Sequence, residues 1–298
     1  METQKQTMIG KRVLITGATN GIGKQAALEL ANMGAAVVIV GRDEVKTRKV
    51  SIDLRTLSGN ANIDLAVGDL SSMAEVRRIA GEYRDTYGRL DVLVNNAGAM
   101  FNRFQTSADG YEMTFALNHF SYYLLTVLLL DIMKLTARDH GDARIINVSS
   151  GAHKSGALKQ GLWLDDMRSE AGFRGMGGFA SYSASKLANI LFTYELARRL
   201  ADTKVAVNAL HPGFVNTGFG HNTTGLMSAL VKGSQKLFAR SPRQGAETLV
   251  YLASSAEALG ITGQYWFDKK PLRSSEISYS RDEQTALWEF SAAATGVG

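Results

Sequence analysis

Tyr182 and Lys186 stand four residues apart in Ser181-Tyr-Ser-Ala-Ser-Lys186, which puts a phenol and an ammonium on one face of a helix. A phenol ordinarily keeps its proton up to a pKa of ~10, and a neighbouring cation favours the phenolate. Such a pair can pass a proton to or from a carbinol oxygen. A Y-x-x-x-K spacing alone is common on helix surfaces. It gains weight here by following a glycine turn and the segment Asn147-Val-Ser-Ser150 at the end of a predicted strand.

The glycine turn is Thr16-Gly-Ala-Thr-Asn-Gly-Ile-Gly23. A strand that feeds such a turn and then a helix aims backbone N–H groups and the helix N-terminus at an anion. Gly17 permits the turn, Gly21 lets a phosphate approach and Gly23 lets the helix pack on the strand; Thr19, Asn20 and Ile22 are expected to touch the same ligand. The spacing G-x-x-x-G-x-G differs from G-x-G-x-x-G and misses the P-loop, with Ala18 and Gln25 at two of its defining positions. Phosphoryl transfer is therefore disfavoured.

Arg42 follows Gly41 at the end of the second predicted strand, where a carboxylate would select a free ribose 2′-hydroxyl. A guanidinium there suits a 2′-phosphate, so NADP(H) is expected over NAD(H), with Lys46 and Arg48 adding positive charge. Asp69, followed by Leu70 after the third strand, is a candidate acceptor for the adenine amine; an N-cap for the next helix is the structural alternative.

The elements that must hold these groups alternate. Lys11–Thr16, Ala36–Val40, Ile63–Val67, Asp91–Asn95, Ala143–Val148 and Lys204–Leu210 read as strands; Lys24–Met33, Asp43–Leu57, Ser71–Tyr87, Asp109–Leu135, Ser181–Leu200 and Pro242–Ser254 read as helices. This βαβ alternation predicts an α/β fold with one doubly wound parallel sheet. No hinge, repeat or charge run divides the 298 residues, so residues 1–298 are expected to form a single domain. Two long connections, 151–178 and 213–240, leave the carboxyl edge of the sheet and read as an insertion before Tyr182 and a substrate lid.

Composition removes other chemistries. There is no cysteine, and the five histidines show no metal-ligand spacing, so neither a disulfide scaffold nor a metal site is expected. Asn147 stands where a serine-hydrolase elbow needs glycine. A net charge of +5 without a basic block gives no nucleic-acid signature. The polar start, Met1 to Lys11, carries no signal or anchor pattern, and the apolar run Phe120–Met133 is shorter than the ~20 residues of a span. A soluble, cytoplasmic protein acting on a small molecule is the expectation.

Taken in order, TGATNGIG at 16–23, NNAG at 95–98, NVSS at 147–150, YSASK at 182–186 and HPGFVNT at 211–217 resemble a classical short-chain dehydrogenase/reductase over most of the chain. SADGYEMTFALNHF at 107–120 and SKLANILFTYELARRL at 185–200 are similar to its retinol dehydrogenase-like branch. The resemblance implies a Rossmann-like fold and hydride transfer between NADP(H) and a carbonyl or alcohol. It further implies Tyr182 as general acid in reduction, Lys186 as the group lowering its pKa and holding the nicotinamide ribose, and Ser150 as hydrogen-bond donor to the carbonyl oxygen, with Ser149 as the alternative. Asn118 would hold a water of the proton relay. Asn95, Ala97 and Gly98 would line the cofactor; Pro212, Gly213, Val215 and Thr217 would hold its carboxamide.

The helices at 109–135 and 179–200 resemble the family's usual dimer surface, which the insertion could cover. Met100 to Phe104, the insertion and the lid are expected to form the pocket, with Phe101, Phe104, Trp163, Leu226, Met227 and Leu230 suited to a bulky apolar substrate. A non-catalytic NADP-binding regulator, or an epimerase or dehydratase on the same fold, are the competing functions.

Overall fold

A computed structural model of the chain describes residues 7–168, 178–215 and 240–298. Eight strands form one sheet: β1 Arg12–Thr16, β2 Ala36–Gly41, β3 Ile63–Val67, β4 Val92–Asn95, β5 Ala143–Val148, β6 Val205–Leu210, β7 Gln264–Phe267 and β8 Lys270–Pro271. Their order is β3-β2-β1-β4-β5-β6-β7-β8, with every pairing parallel except β7 with β8. The helices are α1 Gly21–Asn32, α2 Glu44–Ser58, α3 Met73–Thr86, α4 Met113–His140, α5 Phe179–Arg199, α6 Pro242–Ser254 and α7 Arg281–Thr295.

Strand residues supply opposite cores in alternation. Val13 and Ile15 pack with α1, α2 and α6 on one face, while Leu14 packs with α3, α4, α5 and α7 on the other; Val37 and Ile39 alternate with Val38 and Val40 in the same way. Both faces are covered, so these strands read as continuous apolar runs. The order reverses between β1 and β4, which opens a crevice above their carboxyl ends.

The expected α/β, doubly wound fold is present, and every strand and helix predicted within the described residues is found to within a few residues. The chain also forms β7, β8 and α7, to which the sequence reading assigned no element. The largest difference within a predicted element is α4. It begins at Met113, holds a π-helical stretch at Ala116–Phe120 and runs on to His140, 28 residues in all, so the length argument against a span does not hold for it. It is nonetheless a core helix, with 67% of its most apolar window buried.

Helix α7 covers the outer face of α4 and α5. Its Trp288 packs on Tyr123 and Phe192, and Arg199 lies over the Trp288 ring at 4.1 Å. With the sheet and α4 on its other sides, every α5 residue from Ala180 to Ala197 is buried. On the helices that resembled the family's dimer surface, α7 packs against Tyr123 and Phe192. In the insertion itself, Leu158, Leu162, Trp163, Leu164 and Met167 pack against the core.

Candidate active site

One cleft of about 530 Å³ lies above the carboxyl ends of β1, β4, β5 and β6. Of the expected residues, Gly17, Thr19, Asn20, Gly21, Ile22, Gly23, Arg42, Asp69, Leu70, Ala97, Gly98, Ser150, Tyr182, Lys186, Pro212, Gly213 and Val215 line it. Thr217 and the lid residues Leu226, Met227 and Leu230 lie outside the described residues.

The glycine turn is held from behind by Asn96, a residue the sequence reading did not single out. Its Nδ2 donates to the carbonyls of Thr16 and Gly17 at 2.9 and 3.2 Å, and its N–H donates to Thr16 Oγ1 at 2.9 Å. Gly17 has φ 66°, and a Cβ there would stand 2.7 Å from Ala97 Cα; at Gly23 it would stand 2.5 Å from Asn96 Nδ2. Gly23 therefore admits the Asn96 clamp as much as it brings helix to strand. The Asn20 side chain accepts from Gly21 N–H at 2.8 Å and caps α1, whose N-terminus opens into the cleft. This is a cradle that fits a diphosphate.

Arg42 is 74% exposed at the mouth, 3.9 Å from Asp69. Asp69 Oδ1 accepts from Ser71 N–H and Oγ at 3.0 and 2.8 Å, so the acid shapes the turn before α3 while still facing the cleft.

Asn95 is not part of the lining. It is wholly buried, with Nδ2 donating to Thr126 Oγ1 and Asn147 Oδ1, each at 2.9 Å. In strand β4 successive side chains point to opposite sides, which turns Asn95 into the α4 layer. Its neighbour Asn96 takes the place in the cleft that was expected of it.

Both serines after β5 line the cleft, but with different partners. Ser149 Oγ donates to the Lys186 carbonyl at 2.7 Å and is buried, so it ties β5 to α5. Ser150 hydrogen-bonds the Tyr182 hydroxyl, and its Oγ accepts Ala152 N–H at 3.2 Å. The geometry favours Ser150 as the serine beside the phenol.

Lys186 Nζ donates to the Val148 carbonyl at 3.0 Å and lies 5.7 Å from the ring centres of both Tyr122 and Tyr182. Burial pulls Lys186 down to about 7. Burial pushes Tyr182 up to about 12, and the Ser150 hydrogen bond opposes it. A lowered Tyr182 was expected from the neighbouring ammonium; desolvation of the phenolate raises it instead. The phenol is thus poised as a proton donor.

Asn118 has its side chain bound within the protein. Its amide is fully engaged: Nδ2 donates to the Ala99 carbonyl and Ser185 Oγ, and Oδ1 accepts Ala99 N–H, each at 2.9 Å. The side chain pins the segment after β4 to α5. It sits in the π-helical turn, where Ser121 N–H reaches back to Ala116, a widening often found at functional sites.

Apolar groups complete the lining. Met100 and Phe101 are there as expected, joined by Leu117, Phe179 and Phe214; Phe104 and Trp163 are not. Among the described residues no cluster of His, Asp and Glu side chains suited to a metal occurs.

The short chain dehydrogenase family matches residues 11–162 and 166–225. The chain belongs to the short-chain dehydrogenase/reductase family. Within it, the chain falls on the retinol dehydrogenase-like branch: human retinol dehydrogenase 14 is 39% identical over 97% of this chain and 88% of its own length. Human polyprenol dehydrogenase is 34% identical over 95% and 84%. Among solved structures, the Pseudomonas aeruginosa RhlG/NADP active-site complex is similar with a TM-score of 0.69 and 27% identity, covering 89% of this chain and 96% of that one. An oxidoreductase of this family transfers hydride to or from a nicotinamide cofactor.

Proposed function

We propose that the protein is an NADP(H)-dependent carbonyl reductase or alcohol dehydrogenase for bulky, apolar substrates, working in the cytoplasm. The convergence of Tyr182, Lys186 and Ser150 on the cleft that also holds the glycine turn carries the proposal. The nicotinamide, when bound, supplies or accepts the hydride. In reduction, Ser150 Oγ–H donates to the substrate carbonyl oxygen and Tyr182 Oη–H gives that oxygen its proton. The phenolate left behind would be stabilised by the Lys186 ammonium, which would also hold the nicotinamide ribose. Oxidation runs the same steps backwards, with the Tyr182 phenolate taking the alcohol proton. Asn118 fixes the backbone around which Lys186 and Tyr182 sit. Arg42 would supply charge for the 2′-phosphate, and Pro212, Gly213 and Val215 would hold the carboxamide.

The substrate class rests on Met100, Phe101, Leu117, Phe179 and Phe214 in the lining and on the relatives named for retinol and polyprenol, both long apolar alcohols. A non-catalytic NADP-binding regulator or an epimerase would keep the cradle, yet the intact proton-transfer set favours turnover with net oxidation or reduction. The test is consumption of NADPH and, in parallel, NADH with aromatic, aliphatic and isoprenoid aldehydes and ketones. Turnover with NADPH preferred, abolished in Tyr182→Phe, is expected; NADPH binding without turnover of any substrate would favour the regulator.

A further inference from the structure

His119 is wholly buried next to Asn118, and its two ring nitrogens point in opposite directions. Nε2 lies 2.9 Å from Ser291 Oγ on α7, and Nδ1 lies 3.4 Å from Asn189 Oδ1 on α5. Asn189 Nδ2 donates to the Val148 carbonyl at 3.4 Å, the same oxygen that receives Lys186 Nζ at 3.0 Å.

The polarity of this path is determined by its end. Because the Asn189 amide nitrogen donates to Val148, its oxygen faces the imidazole and can only accept, so Nδ1 carries the proton. Nε2 is then an acceptor, and the Ser291 hydroxyl must donate to it. Each link is satisfied by a neutral imidazole, and burial keeps it neutral by pulling His119 down to about 3. The rings of Phe115, Tyr123 and Phe192, with centres 5.0, 6.5 and 6.1 Å away, hold its plane. Ser291 is delivered by Trp288, one turn earlier on α7 and packed into the same core.

We infer that His119 is a positioning residue through which the C-terminal helix fixes the Val148 carbonyl, and with it the Lys186 ammonium, in the active site. The inference rests on the role given to Lys186 above. It assigns work to α7, a helix that contributes no residue to the cleft. Partners one shell removed from a reacting group commonly hold its orientation in this way.

Three variants test it. His119→Phe keeps a planar ring and removes both polar atoms, Ser291→Ala removes one hydroxyl, and His119→Asn restores a donor towards Asn189. The first readout needs no cofactor and no substrate: competitive acetylation of Lys186 across pH, followed by mass spectrometry. If the Val148 carbonyl loosens, the ammonium loses a partner in a buried site, and the midpoint of Lys186 reactivity falls by about half a unit or more in His119→Phe. The rings of Tyr122 and Tyr182 are the titratable groups on either side of Nζ, and both stay in place.

The second readout is kinetic. A roughly tenfold fall in kcat is expected with the KM for the carbonyl substrate little changed, together with an alcohol-oxidation profile moved to higher pH. His119→Asn should recover most of both effects, and Ser291→Ala should show the same changes in smaller measure. Lower melting temperatures with an unmoved Lys186 midpoint and unmoved kcat would make the path a core contact only and overturn the inference. Should His119→Phe fail to fold, Ser291→Ala decides by the same two readouts. A wild-type protein without turnover would count against the proposed function, while the acetylation midpoint still decides this inference.

Discussion

Asn118 and Ala99 clasp each other in both directions: the Ala99 N–H donates to Asn118 Oδ1 and Asn118 Nδ2 donates to the Ala99 carbonyl, each at 2.9 Å. A side chain that replaces two backbone partners at once acts as an extra rung between the segment after β4 and the π-helical turn. Asn118→Leu leaves both Ala99 groups unpaired, while Ser185 Oγ keeps its bond to the Tyr182 carbonyl, and costs ~2–4 kcal/mol of stability. We expect kcat to fall by roughly tenfold or more as well, since Gly98, adjacent to the clasp, faces Lys186. Urea unfolding and steady-state kinetics on the same sample check both; a stability loss with normal kcat would refute the coupling.

The adjacent serines should part company under mutation. Ser150→Ala removes the donor beside Tyr182 and is expected to lower kcat by roughly 10²–10³ with NADPH affinity preserved. Ser149→Ala removes a buried hydrogen bond to the Lys186 carbonyl, so ~1 kcal/mol of stability is lost while kcat changes little. The reverse ranking in initial-rate assays would exchange their roles.

The pH dependence should differ between directions. Tyr182 is pushed up to about 12 and Lys186 pulled down to about 7, both by burial. Reduction needs the protonated phenol and the ammonium beside it, so its kcat is highest on the acid side of neutrality and declines as Lys186 loses its proton. Oxidation needs the phenolate, so its rate climbs with pH. Initial rates in both directions across one buffer series would show this; oxidation that speeds up as pH falls would contradict the assignment of Tyr182.

Arg42 stands 74% exposed with Asp69 at 3.9 Å, a loose pair available to a third charge. Arg42→Ala is expected to raise the KM for NADPH roughly tenfold or more and leave that for NADH nearly unchanged. Equal effects on both cofactors would place the guanidinium away from the 2′-phosphate.

Buried neutral histidines predict an acid-labile fold. His119 and His153 are pulled down to about 3 and about 4, below their unfolded value of ~6.5. Below that value the unfolded chain binds more protons, so stability is full above ~6.5 and declines as pH falls towards the folded values, by up to ~1.4 kcal/mol per unit for each group. Urea midpoints measured at neutral and weakly acidic pH should show the loss, and His119→Asn should reduce it. Midpoints that do not change would mean these rings protonate without cost.

Much of this was legible in the chain because local signals and tertiary role coincide. Alternating apolar runs gave the strands, and the Thr16–Gly23 turn announced its own cradle. The misreadings occur where a side chain's direction depends on a partner far along the sequence. Asn95 and Asn96 look equivalent as letters, and only the pleat of β4 sends one into the core and the other to the glycine turn. Asn118 is engaged by Ala99 and Ser185, from two other segments, and the π-helical turn that presents it leaves no periodic mark. Strand β7 is four residues long, yet carries Trp266, among the largest wholly buried side chains. Nothing local distinguishes it from a loop. The rise in the Tyr182 pKa is a property of the enclosed cleft rather than of the Tyr–Lys spacing.

Helix α5 has eighteen consecutive buried residues, Ala180 to Ala197, and therefore no side of its own to show to water. During synthesis it leaves the ribosome well before residues 281–295, which must arrive to seal it. Until then a sticky cylinder bearing Tyr182 and Lys186 lies open to wrong partners, the circumstance in which nascent chains aggregate. Completion of the proton-transfer apparatus and protection of the nascent chain thus fall at the same late moment.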